Sequence, residues 1–97
     1  MDSVNNSIID LRIKFEEVDR RLLQLLGERA QLSKNMAGLK KQTGCGVVQT
    51  NIWQQQLKQR MAESQKLGLD AGFVEEIFTI IHDQSVAIQR SLLENKL

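Results

Sequence analysis

The sequence has no proline and no tyrosine, and six of its 97 residues are glycine. Proline and glycine interrupt helices, and aromatic residues favour strands, so their scarcity argues against a sheet. Aromatic residues make up 4% of the chain and charged residues 26%. This composition is typical of a bundle of long helices, and the length predicts a single domain over residues 1–97.

Cys45 is the single cysteine, which excludes an intrachain disulfide and a zinc site built from cysteines. The net charge is +1 with both signs interspersed, which gives no electrostatic footprint for nucleic acid or an anionic membrane. No apolar run approaches transmembrane length, and the polar segment from Met1 to Ser7 shows no signal peptide. We therefore expect a soluble, cytoplasmic protein without nucleic-acid or membrane partners.

An apolar stripe with one charged member runs along the first third of the chain. Steps of four and three residues connect Leu11, Phe15, Val18, Leu22, Leu25, Arg29, Leu32, Met36 and Leu39. This spacing keeps one face of a helix directed at the same neighbour. Arg29 interrupts the stripe with a permanent charge, and a buried charge needs a carboxylate partner or an anionic ligand.

Three helices account for nearly the whole chain. The first is predicted from near Ser7 or earlier to about Lys41, followed by a glycine-rich turn at residues 43–46. The second is predicted from about Thr50 to Lys66, with an inner side formed by Trp53, Leu57, Met61 and Ile52.

The third helix is predicted to start after Asp70, which resembles an N-cap, while Gly68 is suited to cap the end of the second helix. Its own stripe, again at steps of four and three, consists of Val74, Phe78, Ile81, Ser85, Ile88 and Leu92.

The first helix is too long to be covered by the other two. At 1.5 Å per residue, roughly 35 residues make a rod of about 50 Å, whereas a globule of this size is about 25–30 Å across. The stripe therefore predicts an intertwined homodimer in which the long helices pair and the monomer is unstable. The predicted fold class is all-α, a three-helix chain with a long first helix.

Several polar residues lie where the stripes predict an interior. Arg29 and Lys40 are eleven residues apart, close to three helical turns, so they share nearly the same face and could bracket a small dianion. Ser85 and Gln89, at positions i and i+4 of the third helix, add neutral hydrogen-bonding groups. Arg12 is too distant along the helix to share that ligand within one chain, but an antiparallel partner could bring its own Arg12 close.

The same residues also fit a purely structural interpretation. Ordinary ion pairs or solvation would account for Arg12 with Glu16, Arg29 with Glu75 or Glu76, and Lys40 near a helix end. Ser85 would then be a small spacer and Gln89 a surface residue. The residues alone leave a functional pocket and a structural coiled-coil-like module equally open.

The usual catalytic groups are missing from this pattern. His82 has no partner at metal-ligand spacing and reads as a core-edge or surface histidine, and Cys45 has no nearby histidine to activate it. An enzyme with this sequence would work without a nucleophile, a metal or a cofactor.

A set of short pieces spread over nearly the whole chain carries a family resemblance. The pieces are Leu11-Arg12, Val18-Asp19, the run from Leu22 to Arg29, Lys40, Gly68-Leu69-Asp70, Phe78, Ile80-Ile81, Ser85-Val86 and Gln89. With them the chain resembles the small all-helical chorismate mutases of the bacterial type, the AroQ class.

The resemblance implies an intertwined dimer with two active sites that rearrange chorismate to prephenate, in phenylalanine and tyrosine biosynthesis, without covalent catalysis. It implies that Arg12 crosses from the partner to bind one substrate carboxylate, and that Arg29 binds the other. Lys40 and Gln89 would hydrogen-bond the ether oxygen, and Ser85 would contact a carboxylate. On this interpretation Lys40, Gln89 and Arg29 are the catalytic residues, and the counter-ion of Arg29 is the substrate.

The start of the second helix departs from the most familiar pattern of the family. Many members place Asp, Arg and Glu there around the substrate hydroxyl, where this chain has Gln49, Ile52 and Trp53. Gln49 and Trp53 resemble another branch, often fused to the first enzyme of the shikimate pathway, and are expected to bind substrate. That branch keeps the arginine, and Ile52 cannot replace a guanidinium donor.

Three functions are therefore compatible with the sequence. The first is a working chorismate mutase. The second is a relative that acts on a modified substrate, such as an isochorismate pyruvate-lyase or an aminodeoxychorismate mutase. The third is a non-catalytic helical dimer that docks on, and regulates, another enzyme of the shikimate pathway.

Overall fold

A computed structural model describes residues 2–44, 46 and 50–94 of the protein. Within these ranges the chain is all-helical: α1 spans Asp2–Thr43, α2 spans Thr50–Lys66 and α3 spans Ala71–Glu94. α1 has 42 residues. The predicted three-helix chain with a long first helix is confirmed, and α1 continues past the predicted end at Lys41.

The last turn of α1 is closed by Gly44. Its φ of 74° is in the left-handed region that favours glycine, and its N–H donates to the Lys40 carbonyl over 2.8 Å. The Thr43 hydroxyl also donates to the Leu39 carbonyl over 3.2 Å, so two carbonyls of this turn have partners. Cys45, predicted to lie in the turn that follows, is outside the described residues.

α2 ends in a Schellman motif at Gly68, whose φ is 71°. The N–H of Leu69 donates to the Ser64 carbonyl over 2.9 Å, which is the long-range bond of that motif. Asp70 then caps α3, because its Oδ2 accepts the Phe73 N–H over 2.9 Å. The predicted capping roles of Gly68 and Asp70 are confirmed.

The chain divides into two compact units. The first ends at Gln31 and the second begins at Leu32. The first unit is a stretch of α1, and the large side chains of its apolar stripe are between 44% and 69% exposed: Leu11, Phe15, Val18, Leu22 and Leu25. The second unit contains the rest of α1 together with α2 and α3, and α2 packs on α3. Among the described residues, no helix has the length and apolar character needed to cross a membrane.

In the second unit α1 presents two different faces. Ser33 and Ala37 are buried, and Lys40, which continues the same spacing, is half-buried. The apolar residues one position earlier are 48–64% exposed: Leu32, Met36 and Leu39. One residue turns a helix by about 100°, so the two faces point in different directions. The face that packs inside the chain is the one with small and polar side chains, and the apolar stripe lies beside it.

The other two helices turn most of their predicted inner residues inward. On α3, Val74 is buried and Phe78, Ile81, Ser85 and Ile88 are half-buried, while Leu92 is exposed. On α2, the predicted inner residues Trp53, Leu57 and Met61 are half-buried. The inner position predicted for Ile52 is wrong, because that side chain is 49% exposed.

Candidate active site

A continuous hydrogen-bonded network joins the last third of α1 to α3. The Lys40 ammonium donates to Gln89 Oε1 over 2.9 Å. Gln89 Nε2 in turn donates to Ser85 Oγ over 3.3 Å, and Ser85 Oγ shares a hydrogen bond of 2.5 Å with Ser33 Oγ. Three of these residues, Lys40, Ser85 and Gln89, are among the four polar residues that the sequence predicted to act together; the fourth is Arg29.

The network is largely removed from solvent. Gln89 is 7% exposed and Ser33 is 5% exposed, while Lys40 and Ser85 are half-buried. Across the described part of the chain, every buried side-chain nitrogen or oxygen has a hydrogen-bond partner. A buried amide costs free energy unless it is paired, and here both ends of the Gln89 amide are paired. The alternatives in which Gln89 is a surface residue and Lys40 is simply solvated are therefore wrong.

The orientation of the Gln89 amide follows from the chemistry of its neighbours. An ammonium group has only donors, so Lys40 requires the carbonyl oxygen of Gln89. The amide nitrogen must then face Ser85, whose hydroxyl oxygen accepts from it. In this arrangement Gln89 holds the lysine as a hydrogen-bond acceptor, and its own donor group is directed away from Lys40.

Ser33 belongs to this network and was not predicted from the sequence. It lies four residues after Arg29, but it falls beside the apolar stripe and carries a small side chain. The available signal is the series Ser33, Ala37 and Lys40, whose spacing of four and three marks a second, narrow face. Small residues on such a face allow two helices to approach closely.

An aromatic pair joins α2 to α3 in the same unit. The rings of Trp53 and His82 are stacked, with 3.9 Å between their centroids and 13° between their planes. Both residues are half-buried. His82 Nδ1 lies 3.8 Å from Asp83 Oδ1, whose side chain is 75% exposed. Trp53 was predicted to bind substrate, and His82 was interpreted as a core-edge or surface residue.

A second contact between α2 and α3 is formed by Arg60 and Phe78. The Arg60 guanidinium carbon is 5.4 Å from the centre of the Phe78 ring, within the range of a cation–π interaction. Among residues 2–44, 46 and 50–94, no three His, Cys, Asp or Glu side chains are grouped so that they could hold a metal ion.

Three predicted site residues are outside the described part of the second unit. Arg12 and Arg29 belong to the first unit, where Arg12 is exposed and Arg29 is half-buried. Gln49 is outside the described residues. The structure thus brings Lys40, Gln89 and Ser85 into one network, and places Trp53 against His82.

Together these features describe a chain that is helical throughout its described elements and holds a half-buried ammonium group among neutral hydrogen-bonding side chains. This arrangement is suited to a small anionic ligand. The family model for chorismate mutase type II matches residues 11–90. The chain therefore belongs to the chorismate mutase type II family, and the family predicted from the sequence is confirmed.

Two curated relatives are also chorismate mutases by name, and both are less than 30% identical to this chain. The bifunctional chorismate mutase/prephenate dehydratase of Buchnera aphidicola subsp. Acyrthosiphon pisum (strain APS) is 26% identical over 90 residues, which cover 93% of this chain and 23% of that protein. The bifunctional chorismate mutase/prephenate dehydratase of Enterobacter agglomerans is 29% identical over 93 residues, which cover 96% of this chain and 24% of that protein. The chain spans about a quarter of the length of these relatives.

Proposed function

We propose that this chain is a chorismate mutase, an isomerase that rearranges chorismate to prephenate in phenylalanine and tyrosine biosynthesis. The observation that carries the proposal is the half-buried Lys40 ammonium bonded to Gln89 at 2.9 Å, in the region matched by the family model. The similarity to the two bifunctional chorismate mutase/prephenate dehydratases supports the same class of reaction.

The proposed reaction suits a site of this kind. The rearrangement is unimolecular and pericyclic, so the protein supplies neither a nucleophile nor a proton. It holds the substrate in its compact reactive conformer and stabilises negative charge that develops on the breaking ether oxygen. Lys40 supplies the positive charge, and partial burial strengthens its effect because water screens it less.

Gln89 has to change its orientation to act as a donor in this mechanism. Its Nε2 is bonded to Ser85, and its Oε1 faces Lys40. To donate to the same ether oxygen as Lys40, the amide must turn so that Nε2 faces the substrate. Ser85 can then donate to Oε1, because a hydroxyl group both donates and accepts. We infer that substrate replaces the direct bond between Lys40 and Gln89.

The remaining substrate contacts follow from the family resemblance and are part of the proposal. Arg12, contributed by a partner subunit, and Arg29 bind the two carboxylates, with Ser85 near one of them. Gln49 and Trp53 bind the end that carries the hydroxyl group. No cofactor enters this mechanism.

The homodimer is proposed on the exposure of the apolar face of α1. Large apolar side chains of α1 are exposed in both units. Exposure of so much apolar surface to water is unfavourable. A second copy of the same helix offers a matching apolar face. We also propose a cytoplasmic location and docking on another enzyme of the pathway. The docking is supported by the two relatives, each of which is described as a bifunctional chorismate mutase/prephenate dehydratase.

Dimerisation predicts that stability depends on protein concentration. We expect light scattering to give twice the chain mass, and the melting temperature to rise as the protein is concentrated. Leu25→Lys, on the apolar face, is expected to dissociate or unfold the protein. Gln24→Lys adds the same charge to a neighbouring exposed position and serves as the control. A monomer with a concentration-independent melting temperature would contradict the dimer.

The activity is tested by incubating the purified protein with chorismate and with isochorismate, and identifying the products. We expect prephenate from chorismate. A specific observation favours a second candidate, because the exposed aliphatic side chain of Ile52 cannot supply a guanidinium donor. Salicylate and pyruvate from isochorismate alone would establish that candidate, a lyase. Without turnover of either substrate, and without a thermal shift by a bicyclic transition-state analogue, the non-catalytic dimer would replace both.

A further inference from the structure

We propose that His82 is a substrate-contacting residue that determines specificity at the hydroxyl end of the site. This inference rests on the proposed function, and it assigns a role to a histidine that the mechanism above does not use. Three observations support it: the helical register of His82, its stack on Trp53, and the lack of a polar side chain at Ile52.

The register places His82 on the same face of α3 as the network. It precedes Ser85 by three residues and Gln89 by seven, and spacings of three and seven keep side chains on one face of a helix. At 1.5 Å per residue, His82 lies about 10 Å from Gln89 along the helix axis. Long side chains on this face can therefore contact the two ends of one small ligand.

The stack on Trp53 determines which part of the imidazole can bind a ligand. With 3.9 Å between ring centroids and 13° between planes, one face of His82 is covered by the indole. The ring edge, which carries the two nitrogens, is left for hydrogen bonding, and the His82 side chain is 22% exposed. Trp53 thus fixes the plane of the imidazole and directs its edge.

The nitrogens of His82 are not equivalent. Nδ1 lies 3.8 Å from Asp83 Oδ1 on the exposed side of the helix, whereas no such contact is formed by Nε2 among the described residues. In the neutral ring one nitrogen donates and the other accepts, and an alcohol hydroxyl can form a hydrogen bond with either. His82 supplies in this way a polar contact for the substrate hydroxyl, where Ile52 provides none.

The test compares two substrates in two proteins. His82→Phe keeps an aromatic ring against Trp53 but removes both nitrogens, and the 4-deoxy analogue of chorismate lacks the hydroxyl group. We expect His82→Phe to lower kcat/KM for chorismate about tenfold and to change kcat/KM for the deoxy analogue by less than twofold. His82→Gln, which keeps a hydrogen-bonding group, is expected to recover part of the loss.

Fluorescence gives a readout that does not depend on turnover. Trp53 is the single tryptophan and the chain has no tyrosine, so the emission reports on the residue stacked against His82. We expect chorismate to change this emission in a saturable manner, and His82→Phe to weaken the apparent binding of chorismate about tenfold but not that of the deoxy analogue.

The outcomes separate this inference from the proposed reaction. Equal losses for both substrates, or no loss for either, would overturn the role of His82 while prephenate formation by the wild-type protein still supports the mutase. Saturable binding that depends on His82 and on the hydroxyl group, without prephenate formation, would overturn the reaction and support the contact. If chorismate neither binds nor reacts, both are overturned.

Discussion

Lys40→Ala is expected to lower kcat/KM for chorismate by roughly 100- to 1,000-fold, and almost all of the loss should appear in kcat. Removal of a single donor aimed at developing oxyanion charge costs about 2.7–4 kcal/mol in the barrier. Alanine has the highest helix propensity, so α1 should still form. Steady-state kinetics give the loss, and circular dichroism at the assay temperature is expected to show the wild-type helical signal.

Lys41→Ala is the matched control for this prediction. Lys41 is the next residue in the same last turn of α1, carries the same charge and is exposed, so its removal should change kcat/KM by less than twofold. Activity of Lys40→Ala within a few fold of the wild type, in a folded protein, would exclude Lys40 as the group that stabilises the ether oxygen.

Arg29→Ala is expected to raise KM for chorismate at least thirtyfold. Truncation of one member of a buried, hydrogen-bonded charge pair costs about 2–5 kcal/mol, and the proposed partner of Arg29 is a substrate carboxylate. Arg29→Lys should recover only part of the loss, because an ammonium group cannot form the two parallel hydrogen bonds of a guanidinium. Guanidinium chloride at a low, non-denaturing concentration should restore some activity to Arg29→Ala.

Exposed Arg21 on the same helix provides the comparison, and Arg21→Ala should leave KM unchanged. A structural ion pair at Arg29 gives a different result: Arg29→Ala would lower the melting temperature while KM for chorismate stays at its wild-type value. Measurement of both quantities on the same preparation therefore distinguishes a substrate-binding arginine from a structural one.

The helix ends could be predicted because they depend on local chemistry. Gly68 and Asp70 act through hydrogen bonds to residues within five positions, and their residue types restrict the possible conformations strongly. The absence of proline has a similar local effect, since it leaves α1 without an interruption. The residues that form these helix ends are therefore close to one another both in the sequence and in space.

Three members of the network could be predicted, but their pairing could not. Lys40, Ser85 and Gln89 stand out as polar residues on or beside the predicted apolar stripes. Which atoms meet depends on the offset between α1 and α3, and this offset is set by packing between residues about fifty positions apart in the chain. The orientation of the Gln89 amide is a consequence of that offset.

Ser33 and the partner of Trp53 escaped prediction for a related reason. The search for large apolar residues points to the stripe of Leu32 and Met36, which is exposed, whereas the contact with α3 uses the smaller Ser33. Likewise His82 is unremarkable as a single residue, and only the packing of α2 on α3 brings its ring onto Trp53.

The glycine cap of α1 has a consequence for the lysine next to it. Lys40 lies in the last turn of a helix, where backbone fraying is normally greatest, and its carbonyl accepts the Gly44 N–H at 2.8 Å. The bond that ends the helix therefore also immobilises the backbone from which the ammonium group projects. The entropy cost of ordering the backbone at Lys40 is therefore incurred once, when the chain folds. It does not recur in each catalytic cycle.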